Sequence, residues 1–85
     1  MTNPMHTVIL TPNAIVFDSL AESVTAPGIN GDFTILAGHV PFLSILRAGS
    51  VKIRKSDGSD FMYSIKSGVC NVQANRVTFL IEHVN

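Results

Sequence analysis

The sequence has a single cysteine, no tryptophan and little charge, and each shortage removes a possibility. Cys70 has no second thiol in the chain, so no intrachain disulfide braces the fold. No apolar run approaches the roughly 20 residues that a membrane-crossing helix needs. The opening Met1-Thr2-Asn3-Pro4-Met5-His6 lacks the basic start and long apolar stretch of a signal peptide, which predicts a protein kept in the cytosol or an equivalent compartment. Six Lys and Arg offset six Asp and Glu, so the field that draws proteins to phosphate backbones or anionic lipid is missing. No nucleic-acid ligand is expected. Sustained amphipathic helical periodicity, internal repeats, charge blocks and low-complexity stretches are absent as well, and nothing reads as a linker.

What remains is a chain of 85 residues, read as one domain spanning 1–85. A domain this small buries only about 60–65% of the surface its unfolded chain exposes, which leaves a thin stability margin. Charged residues make up 14% of the chain, where roughly 25% is ordinary. Such a surface leaves uncharged or apolar area in view, and patches of that kind mark a protein partner.

β-Branched and aromatic residues recur in short runs broken by Gly, Pro, Asn and Asp, so the expected class is all-β. His6 to Leu10 opens the sheet, Thr11-Pro12-Asn13 turns, and Ala14 to Phe17 and Leu20 to Ala26 follow as strands. Pro27 to Asp32 reads as a loop in which Gly28 and Gly31 can take positive φ. Phe33 to Leu36 resumes the sheet before an irregular corner, Ala37-Gly38-His39-Val40-Pro41. Phe42 to Leu46 is apolar on both sides of the alternation, so it should be covered on both faces, by the core or by a partner. Val51 and Ile53 alternate with Lys52 and Arg54, and Ser56-Asp57-Gly58-Ser59 turns the chain into Phe61, Tyr63 and Ile65, a hairpin with one wet face. Val69 to Val72 and Arg76 to Glu82 form another hairpin around Ala74-Asn75. Turn spacing of this kind predicts a small two-sheet β-sandwich of about ten short strands.

Candidate chemistry is sparse. His6, His39 and His83 share no metal-ligand spacing with one another or with Cys70. No Ser sits in a Gly-x-Ser-x-Gly elbow, and the Asp-Ser/Thr-Gly loop of a dimeric aspartic protease is absent, since Asp18-Ser19 precedes Leu20 and Asp57 precedes Gly58. Gly28-x-x-Gly31 has no following Gly-Lys-Ser/Thr, so it is no phosphate cradle. Lys52, Arg54 and Lys55 face Asp57 and Asp60 across the predicted hairpin and neutralise in part. Lys66 invites comparison with a biotinyl or lipoyl carrier domain, a sandwich of similar length, but Ile65 and Ser67 are not the neighbours that those domains place beside the modified lysine. No catalytic, cofactor or metal residue is assigned. A carrier or small-ligand-binding β-domain is the alternative reading.

The stretch Gly28-Ile29-Asn30-Gly31-Asp32-Phe33-Thr34-Ile35-Leu36-Ala37-Gly38-His39-Val40-Pro41-Phe42-Leu43 closely resembles the signature of the epsilon subunit of F-type ATP synthases, called delta in mitochondria. That family places Gly, two variable residues, Gly and an acidic residue ahead of Gly-His-x-Pro and a Leu pair. The likeness continues through Leu46, Gly49, Val51 and Ile53, then Ser67-Gly68-Val69, Val72 and Asn75-x-Val77-Thr78, so it covers nearly the whole chain.

The resemblance implies a ten-stranded sandwich at the foot of the central stalk, a non-catalytic rotor subunit that holds the gamma subunit and rests on the polar loops of the membrane c-ring. It would couple rotation of a proton- or sodium-driven ring to gamma, without a cofactor, at the cytoplasmic face of a bacterial membrane to which it attaches only through the complex. By position, Thr11, His39 and Ser44 match the side turned toward gamma, and Phe42 lies in the same segment. Asn30, Gly31 and Asp32 match the loop turned toward the c-ring, with Asp32 suited to a basic partner there. Bacterial and chloroplast relatives commonly continue into two C-terminal helices, whereas this sequence stops at Asn85. The C-terminal helical domain is therefore expected to be absent, ATP sensing and the inhibitory extension do not carry over, and an enzyme using this subunit is expected to lack that inhibition. The Met1 start without a tag favours a naturally short subunit.

Overall fold

The computed structural model describes residues 4–38 and 41–83, and no helix occurs among them. Eight strands follow one another: β1 (Met5–Leu10), β2 (Ile15–Ala21), β3 (Ser23–Gly28), β4 (Gly31–Leu36), β5 (Phe42–Leu46), β6 (Gly49–Arg54), β7 (Asp60–Gln73) and β8 (Arg76–His83). They form a continuous sheet in the order β2-β1-β8-β7-β5-β3-β4, with β6 pairing both β3 and β7.

Strand β7 makes this sheet a sandwich. Its first half pairs with β6, and its second half pairs with β8 on one side and β5 on the other. A register shift between Ile65 and Ser67 marks the point where it bends from one layer into the other. Gly68 follows at once, and a Cβ there would lie 2.7 Å from the Leu80 carbonyl oxygen. One layer is thus β2-β1-β8-β7-β5 and the other β4-β3-β6-β7. Every strand pair is antiparallel except β1 with β8.

Alternation then builds the core. Met5, Ile9, Phe17, Cys70, Val72, Val77 and Phe79 point inward from the first layer and meet Val24, Ala26, Ile35, Val51 and Ile53 from the second in one cluster. Thr7 is buried among them and donates its hydroxyl to the Met5 carbonyl. Burial pushes the Cys70 thiol up to about 12, which keeps it protonated and unreactive.

The β-sandwich is the predicted architecture, and its division into strands differs from the prediction at three places. The expected break at Asp18-Ser19 is absent because Asp18 sits on an outward position where His6 Nε2 meets its carboxylate at 2.5 Å. The chain breaks at Glu22 instead, whose N–H donates to the Arg54 carbonyl. Pro27 and Gly28 complete β3 rather than opening a loop. The expected strands around Phe61–Ile65 and Val69–Val72 are one strand, since a bulge bends the chain without interrupting its pairing. The corner at 37–41 falls partly outside the described residues, and His39 and Val40 lie there.

Candidate protein docking site

Residues opposite one another in a sheet share a face, so the register defines what the first layer shows to solvent. Ile45 on β5 opposes Val69 on β7, Val69 opposes Leu80 on β8, Leu80 opposes Leu10 on β1, and Leu10 opposes Ile15 on β2. Neighbouring strands are about 4.8 Å apart, so these apolar side chains form a row about 19 Å long. Ile45, Leu80 and Ile15 are 58%, 53% and 62% exposed, and Leu43 extends the row along β5 at 69%. The parallel row Leu43-Asn71-Thr78-Val8-Asp18 is mixed. The next, Gln73-Arg76-His6-Leu20, is largely polar.

The outer face of the second layer is mixed, with Leu36 and Met62 exposed among polar neighbours. Thr25 and Thr34 share a hydroxyl hydrogen bond at 3.0 Å, and Arg54 grips both oxygens of Asp60 at 2.9 and 3.1 Å. A solvent-open depression of about 450 Å³ lies there beside Ser23, Lys52 and Met62. Among the described residues no group of His, Cys, Asp and Glu could hold a metal ion.

The row ends beside the tip formed by residues 27–32. Gly28 pairs with Gly31, so Ile29 and Asn30 form a two-residue turn. Gly31 holds φ at +134°, and a Cβ on Gly28 would stand 2.6 Å from the Gly31 carbonyl oxygen, which accounts for both glycines. The Ile29 N–H donates to the Ile45 carbonyl at 2.9 Å, and the Arg47 N–H donates to the Pro27 carbonyl at 2.9 Å. Arg47 Nη2 reaches Asp32 Oδ1 at 2.6 Å. Asn30, Gly31 and Asp32 are brought together and exposed, as the sequence pattern places them.

The other assigned residues are less uniform. Thr11 closes the β1–β2 turn, accepting the Ala14 N–H on its hydroxyl at 3.1 Å, and lies beside Leu10 and Ile15 at the far end of the row. Phe42 and Ser44 are on the inward-pointing side of β5, opposite the buried Val72 and Cys70. The Phe42 ring stands edge-on to Phe33 at 5.2 Å, and the Ser44 hydroxyl donates to the Ile45 carbonyl at 3.2 Å. Leu43 and Ile45 occupy the outward side. The doubly apolar pattern of Phe42–Leu46 already signalled them, but Val69 and Leu80 join them only through register. Lys66 lies within β7 at the bulge rather than at a hairpin tip, unlike the lysine of a carrier domain.

A small sandwich with one apolar outer row, one mixed outer face and a braced tip has the make-up of a protein-docking module. The chain belongs to the ATP synthase, Delta/Epsilon chain, beta-sandwich domain family, whose model matches residues 4–85. It is 39% identical over 77 residues to the ATP synthase epsilon chain of Chlorobaculum tepidum, covering 91% of this chain and 88% of that one. To the epsilon chain of a Sulfurovum species it is 36% identical over 78 residues, covering 92% of this chain but 61% of the relative's length. The fold matches a chain of the Euglena gracilis mitochondrial ATP synthase OSCP/F1/c-ring assembly with a TM-score of 0.87 at 18% identity, over 92% of this chain and half of that one. It also matches a chain of the Tetrahymena thermophila mitochondrial ATP synthase central stalk and c-ring, with a TM-score of 0.79 at 19% identity, over 95% and 65% of the two chains.

Proposed function

We propose that this chain is a non-catalytic rotor subunit of an F-type ATP synthase, seated on the gamma subunit by the apolar row and on the c-ring by the 27–32 tip. Rotation of a proton- or sodium-driven ring then reaches gamma through a rigid body that performs no chemistry. The subunit sits at the cytoplasmic face of the membrane, attached through the complex. The observation that carries this reading is the continuous apolar row of Ile45, Val69, Leu80, Leu10 and Ile15 across the outer face of the first layer. Family membership supplies the partners: relatives are ATP synthase epsilon chains, and the Tetrahymena match is to a central stalk and c-ring assembly.

In this reading gamma contacts Leu43, Ile45, Val69 and Leu80, with Thr11 at the rim. Phe42 and Ser44 support β5 from beneath, and His39, outside the described residues, keeps its sequence-based assignment to gamma. Asn30, Gly31 and Asp32 face the ring. A rotor clamp must resist slipping, and two packed patches on one rigid body achieve this where a cleft would not.

The test is binding to purified gamma by the variants Ile45→Asp and Leu80→Asp. Both side chains are more than half exposed, so folding should persist while a carboxylate in a desolvated interface weakens affinity about tenfold or more. Unchanged affinity in both folded variants would move the gamma contact off this face.

A further inference from the structure

The tip that the proposed function turns toward the ring carries one ionised side chain, Asp32, and sequence alone suits it to a basic partner on the ring. In the fold that carboxylate is already engaged. Arg47 Nη2 donates to Asp32 Oδ1 at 2.6 Å, and Arg47 Nη1 donates to the Ala48 carbonyl at 3.3 Å. Backbone contacts also hold the segments that carry the two side chains. Arg47 donates its N–H to Pro27, Ile29 donates to Ile45, and Gly28 pairs with Leu46. The connection after β5 also packs directly on the tip, since a Cβ on Gly49 would fall 2.9 Å from Pro27 Cβ. With the Asp32 charge paired to Arg47, the turn at the tip is formed by the apolar Ile29, 59% exposed, and the uncharged Asn30, beside a pair that carries no net charge.

We propose that Arg47 is a positioning residue for the ring contact. It offsets the Asp32 charge within the chain and clamps the 27–32 tip to the segment between β5 and β6, so the tip meets the ring as a rigid surface of no net charge led by Ile29 and Asn30. The ring patch that fits this surface needs no net charge of its own where the two touch. The proposal rests on the ring-facing reading of the tip and goes beyond it by naming the partner's chemistry and the residue that sets the geometry. Both members of the pair are substantially exposed, 49% and 64%, so the pair adds little to overall stability, and its effect is on presentation.

Arg47→Gln, Asp32→Asn and the double variant, each in the full chain, separate the possibilities. Three quantities are measured: hydrogen exchange of the Ile29 amide, affinity for gamma alone, and affinity for a purified gamma–c-ring assembly at about 50 and 300 mM salt. For Arg47→Gln the expected results are Ile29 exchange faster by about three- to fivefold, a ring-dependent gain in affinity reduced by at least as much, and unchanged binding to gamma alone. The double variant should be no worse than Arg47→Gln, and the wild-type ring-dependent gain should change less than about twofold with salt. Wild-type Ile29 exchange and ring affinity in Arg47→Gln would overturn the proposal. So would a ring-dependent gain that collapses with salt, or a double variant far weaker than Arg47→Gln, because either places the Asp32 charge on the ring. If wild-type protein gains no affinity from the ring, the ring-facing reading fails first and takes the proposal with it, and Ile29 exchange still reports whether Arg47 clamps the tip.

Discussion

Ala74 and Asn75 hold left-handed backbones, with φ of 51° and 61°, and so close the β7–β8 hairpin with the primed turn that suits the twist of antiparallel strands. Asn75 also ties this hairpin to two other segments. Its side-chain amide donates to the Pro4 carbonyl at 3.0 Å, its amide oxygen accepts the Gly38 N–H at 3.5 Å, and its backbone carbonyl accepts from His6. Ala74 has no such compensation and carries the roughly 1 kcal/mol cost of a left-handed conformation with a Cβ. Ala74→Gly should therefore stabilise the protein by about 0.5–1 kcal/mol, while Asn75→Ala should destabilise it by about 1–2 kcal/mol. Urea unfolding measures both, and a destabilised Ala74→Gly variant would show that the turn is not strained. The turn itself was legible in the sequence, because two short polar or small residues between alternating runs have few other structures available. The ties from Asn75 to Pro4 and Gly38 were not, since they depend on where distant segments pack.

At the scale of the element, β5 links the two proposed docking regions. Its outward side chains Leu43 and Ile45 begin the apolar row, and the Ile45 carbonyl accepts the Ile29 N–H of the tip. The sequence pattern showed a strand apolar on both sides, and the fold covers one side with Phe33, Val72 and Cys70 while leaving the other open. Composition could go no further, because the rest of the row comes from β7, β8, β1 and β2, and a one-residue slip in any pairing would turn those side chains inward.

The β6–β7 hairpin makes a separate prediction about acid. Asp60 is held below the ordinary carboxylate range by hydrogen bonding to Arg54, and Asp57 by the Ser59 hydroxyl and N–H. Groups lowered in the fold support it above their unfolded value, near 4, and that support disappears as pH falls through the lowered values. The Ser59 amide resonance should therefore titrate below about pH 4 while core resonances stay fixed. Titration of Ser59 at or above the ordinary value would mean that Asp57 is not bonded as described.

Across the whole molecule, the two outer faces differ in kind. One carries the apolar row, and the other satisfies itself through Thr25 with Thr34 and Arg54 with Asp60. A chain with only 14% charged residues cannot cover both faces with charge, and although Leu36 and Met62 are also exposed on the second layer, the continuous apolar row lies on the first. This distribution suits the proposed role of a rigid body held between two neighbours. The low charge was visible in the composition, whereas the alignment of apolar side chains into one row required the strand pairings that set the register.

The most direct measurement is a methyl NMR titration of the full chain with gamma. The proposed seat predicts that Leu10, Leu43, Ile45, Val69 and Leu80 shift or broaden at substoichiometric gamma, while Val24, Ile35 and Ile53 in the core remain in place. If those surface methyls stay unmoved while groups on the β3–β6 face respond, gamma sits on the other layer and the account is contradicted.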